Sequence, residues 1–152
     1  MEQRDILVLH VVKWYPYPKD IQHGVFVKKH IDATGDKPHI LGFLNDHFPR
    51  IQLDNSIIFG AKKMTFTAKF SAFISTVNTV NPNIIHFHCF APDLVPMLWY
   101  ARLKGIKTVH SEHWSGLLHV NLIKLDPWKK RLARWFFEHI HLVLPVSTVL
   151  EE

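Results

Sequence analysis

The 152-residue sequence predicts an α/β fold, a three-layer sandwich built on a mainly parallel sheet. Three observations carry this expectation. Short runs rich in β-branched residues alternate with segments of helical periodicity. Several of the runs are apolar throughout, as strands buried on both faces must be. Glycine, proline and asparagine fall between the runs, where the chain has to reverse.

Residues 6–12 read as a first buried strand. Residues 13–23 hold Pro16, Pro18 and the aromatics Trp14, Tyr15 and Tyr17, and read as a loop ended by Gly24. Residues 25–33 place apolar side chains at 26, 27, 31 and 33, the spacing of a short helix running to Gly35. Strand, loop, glycine and helix together open a βαβ unit. A second strand is expected at residues 39–44 and a third at residues 51–59, with residues 45–50 and Gly60 between and after them. Residues 64–80 show helical spacing at 66, 70, 73, 74, 77 and 80, and Asn81-Pro82-Asn83 stops the helix. Residues 84–90 form the next strand, and residues 94–103 a helix closed by Gly105. Residues 106–111 are a strand, 127–140 a helix and 142–146 a last strand, with Ser147 placed to cap a following helix. The chain stops about where that helix should start, so its end reads as a cut.

Composition bounds the function. Apolar residues make up 47% and charged residues 20%, which fits one soluble domain with a full core and excludes a disordered chain. No apolar run approaches the ~20 residues that a membrane-spanning helix needs, and no secretory leader is visible. Cys89 is the only cysteine, so an intrachain disulfide is impossible and a reducing cytoplasm is the simplest setting. A net charge of +5 suits either nucleic acid or anionic lipid. A nucleic-acid module needs a continuous basic face, whereas acidic and basic residues are mixed here, so nucleic acid is not expected as a partner.

Five stretches occur in a telling order: Gly24-Val-Phe-Val with His30 one turn on, Asn83-Ile-Ile-His-Phe-His88, Gly105-Ile-Lys-Thr-Val, Ser111-Glu-His-Trp-Ser-Gly116 and Val143-Leu-Pro-Val-Ser147. Over nearly its whole length the chain resembles the N-terminal domain of family 4 glycosyltransferases. That family is retaining and nucleotide-sugar-dependent, with two Rossmann-like domains. Residues 111–116 are especially similar to bacterial members that build surface polysaccharides. The resemblance implies a Rossmann-like fold, an acceptor docked mainly on this domain and a donor held mainly by a second one. The second domain of the family carries a pair of glutamates with seven residues between them. Glu2, Glu112 and Glu138 each lack a glutamate eight positions on, so the donor half is expected to be absent and the isolated domain inactive. No cofactor or metal is implied, and the nucleotide sugar is a co-substrate.

The resemblance and the element order single out particular residues. Gly24, preceded by His23, sits where a backbone must approach a diphosphate at a helix N-terminus, or where it merely turns the chain. His113 follows a parallel strand, at the sheet edge where ligands of open α/β folds bind. It is the expected catalytic residue, positioning groups and stabilising charge rather than attacking. Glu112 is either a partner behind it or a loop carboxylate. Gly24 and His113 are expected to open onto one cleft.

His86 and His88 share a strand face, with His86 in the core and His88 lining the acceptor cleft. Their spacing also suits a metal with His110 or His113, but no recognisable ligand set is completed, and no metal is expected. Trp14, Tyr15 and Tyr17 either stack on sugar or seal their loop.

Residues 127–140 read as an amphipathic helix. Trp128, Leu132, Trp135, Phe136 and Ile140 lie on one side, and Lys129, Lys130, Arg131 and Arg134 on the other. It either packs on the sheet or contacts an anionic membrane from the cytoplasmic side. Lys62, Lys63 and Lys69, near Phe66, Phe70 and Phe73, leave the same pair of readings open. The rival to sugar transfer is a stand-alone Rossmann-like nucleotide-binding or interaction domain, against which the missing Gly-x-Gly-x-x-Gly pattern counts.

Overall fold

A computed structural model describes residues 6–16, 21–22, 24–34, 38–43, 50–53, 56–61, 64–113 and 125–145. Tyr17, His23, Gly35, residues 45–49, Lys62, Lys63, residues 114–116 and Ser147, all singled out in the sequence, lie outside the described residues. In class the fold is α/β, with mainly parallel strands flanked by helices, as in Rossmann-like sandwiches. The chain divides into two compact units, residues 1–85 and 86–152.

In the first unit, β1 (Val8–Val12), α1 (Val25–Asp32), β2 (His39–Gly42), β3 (Arg50–Leu53), β4 (Ser56–Gly60) and α2 (Phe66–Val80) follow in order. The strands lie as β3-β4-β2-β1. β1 and β2 are parallel, as are β2 and β4, while β3 is antiparallel to β4. The single strand expected over residues 51–59 is therefore a hairpin. Leu53 pairs with Ser56, and the two residues between them are Asp54-Asn55, a pair that favours the tight turns joining antiparallel strands.

The first core gathers Val12, Tyr15, Val27, Ile31, Ile40 and Ile58, all buried. α2 packs on β2 and β4. It starts at a Thr65 cap, whose hydroxyl accepts from the Ala68 N–H at 3.4 Å. It ends at Asn81, left-handed at φ 49°, whose N–H returns to the Val77 carbonyl at 2.8 Å. Its buried side is Phe73, Thr76, Val77 and Val80. Phe66, expected on that stripe, is exposed and stacks on Phe70 with centroids 5.9 Å apart. The apolar period of α2 mixes two helix faces, of which one is buried.

β5 (Ile84–His88) crosses from the first unit into the second, which continues with α3 (Leu94–Leu103), β6 (Lys107–Glu112), α4 (Pro127–His139) and β7 (Leu142–Pro145). The strand order is β5-β6-β7, and β6 and β7 are parallel. α3 packs against α4 and β6. α4 anchors through Phe136, fully buried, with Phe87 at 5.8 Å and Phe90 at 5.2 Å between ring centroids. At its C-terminus the His139 carbonyl accepts from Arg102 Nη1 at 2.7 Å.

For Trp128 the sequence leaves two readings open, packing on the sheet or facing outward to a membrane. The residue is 56% exposed instead of lying on the packing side, and Lys129 Nζ stands 5.4 Å from its ring centroid. Pro127 is the first residue of the helix, so Trp128 belongs to the opening turn, while Ala133 and Phe136 in the middle are the buried positions.

Candidate functional site

In the first unit the candidates gather around the turn from β1 to α1. Gly24 caps α1 in the left-handed region at φ 73°, and among the described residues no side chain caps this helix. A β-carbon added there would stand 2.4 Å from the Trp14 carbonyl carbon, 2.6 Å from its oxygen and 2.7 Å from the Tyr15 nitrogen. All three are backbone atoms with little freedom to move. The glycine is thus demanded twice, by its dihedral and by the loop backbone pressed against it. The first turn of α1 holds no acidic residue.

Tyr15 takes the packing alternative. Its ring is 1% exposed, and its hydroxyl lies 3.3 Å from Ser56 Oγ. Trp14 stays half-buried, edge-on to Phe26 with centroids 6.3 Å apart and with Lys13 Nζ 5.2 Å from its ring.

His10 on β1 is buried, and its pKa is lowered to about 4, first by burial and then by the charge of His30.

In the second unit the ends of β5 and β6 are cross-braced by side chains. Strand alternation puts His86 and His88 on one face of β5, and their rings stack at 4.2 Å. His86 Nε2 meets Ser111 Oγ at 2.8 Å. His88 Nδ1 meets His113 Nε2 at 3.4 Å, with ring centroids 5.7 Å apart and planes 17° from parallel. His113 is the first residue past β6 and is half-buried. His88 is only 1% exposed, so its ring meets His113 instead of lining an open surface.

Glu112 ends β6 on the alternate side, as the strand period requires. It is buried, and one of its oxygens, Oε2, accepts both the Phe90 N–H and the His110 Nε2–H, each at 3.0 Å. His110 lies edge-on to Phe136 with centroids 5.2 Å apart, and among the described residues its Nδ1 has no hydrogen-bond partner. A proton on Nδ1 would be a buried donor with nothing to receive it, so the contacts call for the tautomer protonated at Nε2.

Next to this brace the backbone carries a strained residue. Cys89 adopts φ 60°, and its N–H is held by the Ser111 carbonyl at 3.0 Å. Glu112, through Phe90, fixes the following peptide as well.

The sequence alone missed the His110–Glu112–Phe90 arrangement. The available signal was the i, i+2 spacing of His110 and Glu112, which puts a donor and an acceptor on one strand face.

The Trp128, Lys129, Lys130, Arg131 and Arg134 group lies at the start and outer side of α4. Arg131 and Arg134 are exposed, and Lys129 pairs with Asp126 at 2.9 Å. Among the described residues no helix is long and apolar enough to cross a membrane.

A family model, Glycosyltransferase Family 4, matches residues 29–152. No curated protein matches the chain. Among solved structures, a UDP-forming α,α-trehalose-phosphate synthase from Burkholderia xenovorans is similar at 10% identity, with a TM-score of 0.49. The match covers 90% of this chain and 38% of that one, so the chain spans well under half the length of that structure.

Proposed function

The chain belongs to glycosyltransferase family 4, and from that premise we propose that it is the acceptor-side N-terminal domain of a longer transferase. The enzyme moves a sugar from a nucleotide-sugar donor to a glycan or lipid-linked acceptor in the synthesis of bacterial surface polysaccharide. The donor is held by a second domain beyond these residues, and the isolated domain does not transfer sugar.

The observation that supports this reading most is the placement of His113. It stands just past the carboxyl end of β6, which runs parallel to β7, where open α/β sheets present residues to ligands. From there an imidazole hydrogen-bonds the transferred sugar or the acceptor hydroxyl and steadies charge without attacking. Glu112 supports the loop beside it. Gly24 and the first turn of α1, free of acidic residues, offer helix N–H groups to a diphosphate. That anion is met by N–H groups and basic side chains, so the reaction needs no metal.

Trp14, half-buried, remains a stacking surface for a saccharide ring. The exposed Trp128 with Lys129, Lys130, Arg131 and Arg134 suits peripheral contact with the inner face of an anionic cytoplasmic membrane.

The test is sugar transfer by the full-length enzyme and its His113→Ala variant. Turnover is expected to fall by at least ~10²-fold, the effect of losing a well-placed electrostatic contact. Near-normal turnover removes His113 from the reaction. The 152-residue chain alone is expected to show no transfer from any nucleotide sugar.

A further inference from the structure

We propose that His88 is a positioning residue that fixes the tautomer and ring plane of His113, and so decides which face of the imidazole chemistry a ligand meets. The inference rests on the reading that His113 touches the reacting groups.

The geometry is that of two ring nitrogens facing each other, His88 Nδ1 and His113 Nε2, at 3.4 Å. This is the long end of the hydrogen-bonding range. One shared hydrogen bond requires one nitrogen to carry the proton and the other to offer its lone pair. Two N–H groups placed head to head would repel, and two bare nitrogens would leave two buried lone pairs opposed. The pair therefore holds its tautomers in matched sense. If His88 donates from Nδ1, His113 is bare at Nε2 and protonated at Nδ1. If His88 accepts, His113 is protonated at Nε2 and Nδ1 is the lone-pair side. In either case the state of His113 is set by a residue that a ligand does not reach, because His88 is 1% exposed.

The ring planes are held in the same way. His86 is anchored to Ser111 Oγ at 2.8 Å and stacks on His88 at 4.2 Å. His88 lies 17° from parallel with His113. His86 and His88, both buried, thus lie face to face, and the half-buried His113 meets His88 edge to edge through their facing nitrogens. Burial limits the rotation of His86 and His88, and the contact with His88 limits that of His113. Preorganisation of this kind lets a side chain meet developing charge without first reorienting.

The experiment is a two-bond proton–nitrogen correlation spectrum of the ¹⁵N-histidine-labelled chain at a mildly alkaline pH, where neutral tautomers dominate. His113 and His88 are expected to show single, complementary tautomers. His88→Phe keeps a ring in the stack and removes the nitrogen. A hydrogen bond of net worth near 1 kcal/mol corresponds to a change in the tautomer ratio of His113 by roughly fivefold to tenfold.

The reciprocal variant His113→Phe, at the half-buried position, should shift the tautomer of His88 by the same factor, because coupling between two sites is mutual. It also carries the test if His88→Phe does not fold. The idea is overturned if either variant leaves its partner's tautomer unchanged while the backbone spectrum stays native. It is also overturned if the facing nitrogens are found both protonated or both bare. No substrate enters this measurement, so its failure is separate from a failure of the sugar-transfer reading, which only the full-length turnover assay decides.

Discussion

The turn into α1 and the rim of β5 and β6 do comparable work with different materials. The first is made of backbone: a glycine at φ 73° lies against the Trp14–Tyr15 peptide, and among the described residues no side chain caps the helix. The second is made of side chains, with His86 on Ser111, His88 on His113, and Glu112 on both His110 and Phe90. A backbone-built turn is sensitive to added volume and indifferent to charge. A side-chain-built rim tolerates changes of volume better than the loss of a donor or acceptor.

The sharpest way to break this contrast is Gly24→Ala. Left-handed strain of 1–2 kcal/mol and overpacking of 1–3 kcal/mol together cost about 4 kcal/mol, read as a lowered denaturant midpoint. Gly105 is the control. It too has a positive φ, at 69°, but a β-carbon there meets nothing within 4 Å. Gly105→Ala should therefore lose only about 1–2 kcal/mol, the dihedral cost alone. Equal losses at the two glycines would deny that the Trp14 contact matters.

The rim answers to Glu112. Glu112→Ala strands the Phe90 N–H and the His110 Nε2–H, and each buried orphan costs 1–3 kcal/mol, so about 3–4 kcal/mol is expected from chemical unfolding. Glu112→Gln keeps one carbonyl oxygen where Oε2 accepts both bonds, and should cost less than about 1 kcal/mol. A large loss in the glutamine variant would mean that the negative charge, rather than the acceptor, holds the rim.

A third measurement returns to the first unit through pH. His10 has its pKa lowered to about 4 by burial and by His30. Above the ordinary value of 6.5 neither the folded nor the unfolded chain protonates it, and the group has no effect on stability. Between 6.5 and about 4 the unfolded chain takes up a proton that the folded chain refuses, so stability falls as pH falls. The loss is roughly 3 kcal/mol at the acid end of that window. His10→Phe should flatten this part of the stability profile, and an unchanged slope would remove His10 as its source.

Much of the architecture was legible because pattern and punctuation agreed. β5, α3 and β6 fall within a residue or two of their expected bounds, where apolar runs end at Asn83, Gly105 or a strand-closing polar residue. The single strand expected over residues 51–59 is two antiparallel strands, and the three consecutive polar residues Asp54-Asn55-Ser56 that break the alternation are the local sign of it. Trp128 shares helical spacing with Leu132 and Trp135, and spacing alone does not say whether it packs or faces outward. Only the packing of Phe136 against Phe87 and Phe90 shows that the buried stripe starts one turn later.

The candidate site was legible as residue types and not as contacts. His113 at a strand end, and His86 and His88 on one face, follow from local periodicity. That His88 is buried and meets His113 nitrogen to nitrogen, and that Glu112 turns to His110 and Phe90, depends on which strands lie side by side. β5 and β6 are separated by a whole helix in sequence, so no local rule links residue 88 to residue 113.

By itself the sequence determined the class of the fold, the run of strands and helices, and the glycine and histidines that stand at strand ends, because these depend on the conformational preferences of neighbouring residues. The tertiary structure alone decided what those residues touch: the peptide behind Gly24, the ring beside His113 and the shared oxygen of Glu112. Apart from the Glu112–His110 pair, two positions apart, such contacts join residues ten to twenty-five positions apart, and their energies arise only when packing has excluded water and left each buried donor one acceptor within reach.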